Sequence, residues 1–200
     1  MKQRPILMSS EMVQAILAGN KTQTRRVIKP QPLTVGLKGV YPDLYNHEPN
    51  HWAFWLPDNR MTEPRIWKCP YGQVGDRLWV RESYIPNLDE KTATYKANWN
   101  EYPNGPGIKF TCKWKPSIFM PRKYSRITLE ITSIKVQQLQ NMTFQDIRDE
   151  GFDIGKTNPT AGEVARKWYC DLWDRINGKK YPWSSNPWVW VITFNTMQIG

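Results

Sequence analysis

The segment Ile127-Thr-Leu-Glu-Ile-Thr132 alternates apolar and polar residues without interruption. Side chains two apart in an extended chain share a face, so the pattern predicts a strand continuing to about Val136. Ile127, Leu129 and Ile131 would face a core, and Thr128, Glu130 and Thr132 would face away from it. One strand cannot stand alone, and the chain offers partners for it. Short strand patterns recur at Pro5 to Met8, Thr22 to Ile28 and Arg77 to Glu82, with a weaker one near Thr92 to Lys96 and a closing one from Trp188 to Phe194. Helical patterns lie between them. Ser9 or Ser10 caps a helix that carries Met12, Val13, Ile16 and Leu17 on one face and ends at Gly19. Thr143 caps a short helix from Phe144 to Glu150, closed by Gly151. A longer helix, Gly162 to Ile176, carries the stripe Val164, Trp168, Leu172, Trp173 and Ile176. Strands and helices in this order predict an α+β fold on a curled sheet.

Two stretches, about 30–73 and 86–118, have no clean period and read as irregular insertions into a single domain covering residues 1–200. Three scattered cysteines (Cys69, Cys112, Cys170) and two histidines give no metal-ligand spacing, so no metal and no cofactor are expected. Unpaired thiols suit a reducing cytoplasm. The apolar stretch Ile6-Leu7-Met8 is cut short by Ser9-Ser10-Glu11, unlike a signal peptide, and Trp188 to Phe194 is too short to span a bilayer. A cytoplasmic protein without membrane contact is therefore expected.

Lys and Arg number 28 against 18 Asp and Glu, a formal net charge of +10, and there are eleven Trp residues. Excess cationic charge can serve solubility alone. Cations interleaved with aromatic faces also suit unpaired nucleic-acid bases and their phosphates, so a nucleic acid is the expected partner.

The chemistry concentrates in Gly19-Asn-Lys-Thr-Gln-Thr-Arg-Arg26. On the predicted strand Thr22, Thr24 and Arg26 point one way, Gln23 and Arg25 the other, and Lys21 at the turn swings over the first face. An ammonium, a hydroxyl and a guanidinium around one concavity can bind an anion. If the lysine is neutral, the hydroxyl can also attack. A basic, solvated strand end is the other reading.

The pattern G-x-K-x-x-x-x-R after an amphipathic helix, here Gly19, Lys21 and Arg26, resembles the signature of ASCH domains. Gly75-Asp76 before a strand, Ile127 to Thr132, and Leu139-Gln-Asn-Met-Thr143 opening a short helix follow in the same order. The resemblance implies a PUA-like curled β-barrel with surrounding helices and two inserted loops. It also implies three alternatives: an amidohydrolase removing the acyl group from N4-acetylcytidine, a ribonuclease acting on single-stranded RNA, or an RNA-binding module without turnover. Under the first, Lys21 and Thr24 match two catalytic groups, and the register from Thr143 puts the third on Glu150, with Glu82 as the alternative carboxylate. Arg25 and Arg26 would bind substrate. Lys113, Lys115, Arg122, Lys123 and Arg126, with aromatics between them, form a second basic stretch suited to phosphates or to a loop pinned on the core.

Overall fold

The computed structural model describes residues 1–34, 37–88, 91–99, 113–153 and 161–199. Cys112 and part of the second insertion lie outside these residues. Strand β1 (Gln3–Leu7) leads into helix α1 (Ser10–Leu17), where the Ser9 side chain accepts a hydrogen bond from the Met12 amide. Gly19 ends this helix at φ +75°, a conformation that favours glycine. Strand β2 (Gln23–Val27) follows, then β3 (Tyr41–Leu44) and β4 (Trp52–Trp55), β5 (Arg77–Arg81), β6 (Tyr84–Pro86) and β7 (Ala93–Tyr95). The long strand β8 (Ile127–Gln138), helices α2 (Phe144–Asp149) and α3 (Ala161–Asn177), and strand β9 (Trp188–Ile199) complete the order.

The main sheet has five strands in the order β1-β5-β8-β9-β2. Only β1 and β5 run parallel. Pro5 is tolerated in β1 because an edge strand needs hydrogen bonds on one side only. The alternation read from Ile127 onward is reproduced: Ile127, Leu129 and Ile131 are buried. Strand β9 serves two cores at once. Trp190, Ile192 and Phe194 join Ile6, Val13, Ile16, Leu78 and Leu129 on one face. Val189 and Val191 join Leu139, Ile147, Leu172 and Trp173 on the other.

Two expectations are corrected. The fold is a mixed α+β sheet structure, but the sheet is not a closed barrel. Edge strands β1 and β2 share no ladder, and irregularities in the β8–β9 register bend the sheet without joining them. A side chain spans the gap instead: Arg26 Nη2 donates to the Leu7 carbonyl at 2.7 Å. The insertions are also more ordered than expected, since β3–β4 and β6–β7 each form a two-stranded antiparallel ladder. The sequence Trp-Ala-Phe-Trp of β4 is apolar on both faces and so shows no alternation. Its Ala53 and Phe54 are fully buried, and the Phe54 ring meets Trp67 and Trp188 edge-on at 5.0 and 4.8 Å. The first insertion thus contributes to the core of the main sheet.

Candidate functional site

A backbone bridge brings the site together. Thr22 N donates to Asp149 O at 2.8 Å, and Lys21 and Glu150 form an isolated antiparallel pair. The end of α2 and its C-cap residue are therefore held against the two residues that precede β2. Gly151 makes the close approach workable. Its φ is +105°, and an added Cβ would lie 2.8 Å from Ala15 Cβ and 3.4 Å from Lys21 Cβ.

Five polar side chains converge here, all buried. Lys21 Nζ donates to Glu150 Oε2 at 2.6 Å and to the Glu150 carbonyl at 3.0 Å. Arg25 Nη1 donates to Glu150 Oε1 at 3.1 Å and to Gln23 Oε1 at 2.6 Å, and Tyr169 Oη lies 3.2 Å from Glu150 Oε1. Arg25 Nη2 sits 3.2 Å from Asp146 Oδ1 without hydrogen-bond geometry, and Arg25 Nε has no partner. Burial lowers the Lys21 pKa below its ordinary value even though Glu150 pulls the other way. Burial also opposes the Arg25 charge, but there Glu150 and Asp146 win and tighten its hold on the proton. The Tyr169 hydroxyl is pushed well up by burial and by Glu150 beside it.

Three spaces border this cluster, one of about 330 Å³ lined by Glu11, Ala15, Glu150, Trp168 and Arg175, among others, and two that share lining residues. A cleft of about 350 Å³ is lined by Arg25, Arg26, Lys29, Lys68, Tyr71 and Trp190, among others, with no carboxylate in its wall. Beneath it a cavity of about 20 Å³, room for about one water-sized group, is lined by Thr24, Arg25, Arg26, Glu150 and Tyr169, among others. The cleft and the cavity share Arg25, Arg26 and Asn177. The cleft can accept an anion, and the cavity presents a hydroxyl and a carboxylate to whatever reaches down from it.

The predicted residues are distributed as follows. Thr24, Arg26 and Glu150 share the cavity, and Arg25 and Arg26 also line the cleft. Lys21 is placed differently from the expectation. It lies with Gln23 and Arg25, not over the Thr24 and Arg26 face, because residues 21, 23 and 25 share one parity and the bridge to Glu150 fixes its side. Its side chain has no exposed surface, so Glu150 is the member of the pair that faces the cavity. Glu82 is elsewhere, held by Arg126 through bonds of 2.9 and 3.0 Å. That pairing, with the Arg126 guanidinium also 4.0 Å over the Tyr95 ring, commits Arg126 inside the protein and corrects its expected phosphate role. Lys113 and Lys115 are exposed, Lys115 beside Tyr84 through backbone hydrogen bonds. Arg122 faces Trp79 at 5.9 Å, and Lys123 lies 4.8 Å over Tyr124.

Tyr169, Asp146, Lys29, Lys68 and Tyr71 were not anticipated. Tyr169 neighbours the apolar stripe of α3 and reads as core, and Lys68 and Tyr71 lie in a stretch without period. Among the described residues no group of three His, Cys, Asp or Glu side chains could hold a metal ion, and no helix is long and apolar enough to cross a membrane.

No protein-family profile and no curated protein matches the sequence. A search of solved structures finds the crystal structure of the ASCH domain from Lactobacillus crispatus JV V101, at 14% identity and a TM-score of 0.38. The match covers 98% of this chain and 79% of that one. So loose a superposition leaves the reading of the site to its own geometry.

Proposed function

We propose that the chain is an ASCH-type protein acting on RNA or RNA-derived nucleosides, and that it hydrolyses the acyl amide of N4-acetylcytidine-type substrates. The observation that carries this reading is the buried Lys21–Glu150–Arg25–Tyr169 cluster, which reaches through Arg25 a cleft whose charged lining residues are all cations. Buried titratable groups with perturbed proton affinities at the base of a cleft are where acid–base chemistry is usually found.

The roles follow from position. The base and ribose occupy the cleft, where Tyr71 offers aromatic surface among the cations. Only the acyl carbonyl enters the cavity. Thr24 attacks the acyl carbon, and its proton passes to the Glu150 carboxylate, which faces the same space. The buried Nε groups of Arg25 and Arg26, which have no hydrogen-bond partner in the protein, stabilise the oxyanion. Collapse breaks the C–N bond, and the N4 amine leaves with the proton returned by Glu150. Water then attacks the threonyl ester, releasing the carboxylic acid and regenerating the hydroxyl. Lys21, behind Glu150, positions that carboxylate and takes part in its proton balance.

One observation favours a second reading, an RNA-binding module without turnover. Lys21 Nζ is bonded twice to Glu150 and fully enclosed, as in a structural ion pair. The experiment is incubation with N4-acetylcytidine, scored for cytidine. The expected result is turnover by the wild type and loss of at least about a hundredfold in Glu150→Gln. Thr24→Val, which keeps a β-branched shape in the strand, should lose nearly all turnover while still binding. A folded Thr24→Val protein with unchanged turnover removes the hydroxyl from the mechanism. A wild type that binds RNA at low salt but never releases cytidine establishes the binding module.

A further inference from the structure

A cleft of this size suits either a nucleoside or one unit of a strand, and the surface beyond its rim bears on which. Arg26, in the cleft wall, donates to the Leu7 carbonyl at 2.7 Å. Leu7, 41% exposed, is the register partner of Arg81 on the next strand. Two residues back along β5, on the same face, is Trp79, with the Arg81 guanidinium 4.9 Å and the Arg122 guanidinium 5.9 Å from its ring. Core residues Leu78 and Val80 point to the opposite side, so Trp79 and Arg81 belong to the outer face. The cluster formed by α2 and α3 covers β9 and β2 and includes no residue of β1 or β5.

The charges here are unlike those elsewhere. Arg25 and Arg126 are paired with carboxylates, whereas Arg81 donates to the Met120 carbonyl at 2.8 Å. Arg122 donates to the Ser125 carbonyl and the Thr128 hydroxyl, both at 3.3 Å. Neither guanidinium forms an ion pair with a carboxylate among the described residues. An indole beside two uncompensated cations, next to a cationic cleft, matches the combination that holds single strands: stacking for a base and charge for the phosphates on either side.

We propose that the Trp79–Arg81–Arg122 face is a stacking platform for single-stranded RNA that continues from the cleft across Leu7. It rests on the reading above and deepens it: the substrate is a residue within an RNA strand rather than a free nucleoside. A base farther along the strand stacks on Trp79 while the reacting base occupies the cleft.

The test is fluorescence anisotropy with a labelled single-stranded RNA of about ten nucleotides, within the range one such domain covers, and with a labelled dinucleotide. The wild type should bind the longer RNA more tightly. Trp79→Ala should weaken the longer RNA about tenfold and leave the dinucleotide unchanged. Arg122→Gln, at a surface loop where folding is not at stake, should reduce the slope of log affinity against log salt by about one. Equal affinity for the two ligands, or longer-RNA binding unaffected by both substitutions, overturns the platform. A DNA strand of the same sequence bound as tightly as the RNA overturns the assignment to RNA. Deacylation of an N4-acetylcytidine residue placed within the longer RNA is followed in parallel. Its absence in a wild type whose longer-RNA binding still depends on Trp79 overturns the hydrolase reading and leaves the platform standing.

Discussion

Lys21 and Glu150 are each close to fully buried, so each is the other's main compensation for lost water. Removing one partner leaves the other charge stranded, and a buried pair broken that way costs about 3–5 kcal/mol. Glu150→Gln should therefore destabilise strongly at neutral pH, with a characteristic sign against pH. Burial already holds the Lys21 pKa below 10.5, and Glu150 is the largest influence raising it. Without that carboxylate the folded value drops further, and the unfolded chain binds the extra proton. Stability of the variant should rise as pH climbs from the depressed folded value toward 10.5. Denaturant unfolding at several alkaline pH values checks this. Glu150→Gln combined with Lys21→Met should lose the slope, and a slope persisting in the double variant would assign it to another group.

Helix α2 is too short to persist by propensity, and its start is fixed by a reciprocal cap. Thr143 Oγ1 accepts from the Asp146 amide, and Asp146 Oδ2 accepts from the Thr143 amide at 2.7 Å. Burial pushes the Asp146 pKa up, but the Thr143 amide and Arg25 outweigh it and hold the carboxyl below 3.8. A depressed carboxyl stabilises the fold above its unfolded value, and that stabilisation fades as pH falls through the folded one. Asp146→Asn should thus cost about 1 kcal/mol at neutral pH and less at an acidic pH low enough to protonate the folded carboxyl. Urea melts at the two pH values measure the difference. This cap was legible in the sequence, as were α1 and the alternation of β8, because each has a local signal of cap, stripe or period. Helix α3 was legible too, but not its buried face, since Val164 and Ile176 of the expected stripe are exposed and Ala165 and Tyr169 are buried instead. The β3–β4 ladder had no local signal, since the Trp-Ala-Phe-Trp of β4 is apolar throughout and Pro42 interrupts β3. The site was half legible. Thr143 set the register that reaches Glu150, but the side taken by Lys21 depends on a bridge to a residue far along the chain. No local pattern encodes such a bridge.

At the scale of the molecule, the open sheet is drawn together by Arg26, whose Nη2 also lies 3.5 Å from Met8 Sδ. The charged donor on the Leu7 carbonyl is worth roughly 1.5–3 kcal/mol when well formed, and half-exposure places it toward the lower end. Arg26→Met should destabilise by about 1.5 kcal/mol and speed amide exchange selectively in β1. The Met8 amide, bonded to Arg81 O at 3.0 Å, is a convenient reporter. Unchanged exchange there, against the same global stability loss, would mean the contact does not hold the edges together.

The strand order carries a consequence for synthesis. Strand β2 has one partner in the sheet, β9, which lies near the opposite end of the sequence. On a ribosome, β1, β5 and β8 can all pair while β9 is still inside the exit tunnel. Thr24 and Arg25 then have no ladder to hold them. A nascent chain halted before Trp188 would present a partly formed sheet with β2 unpaired. The segment richest in reactive side chains emerges early and is assembled last.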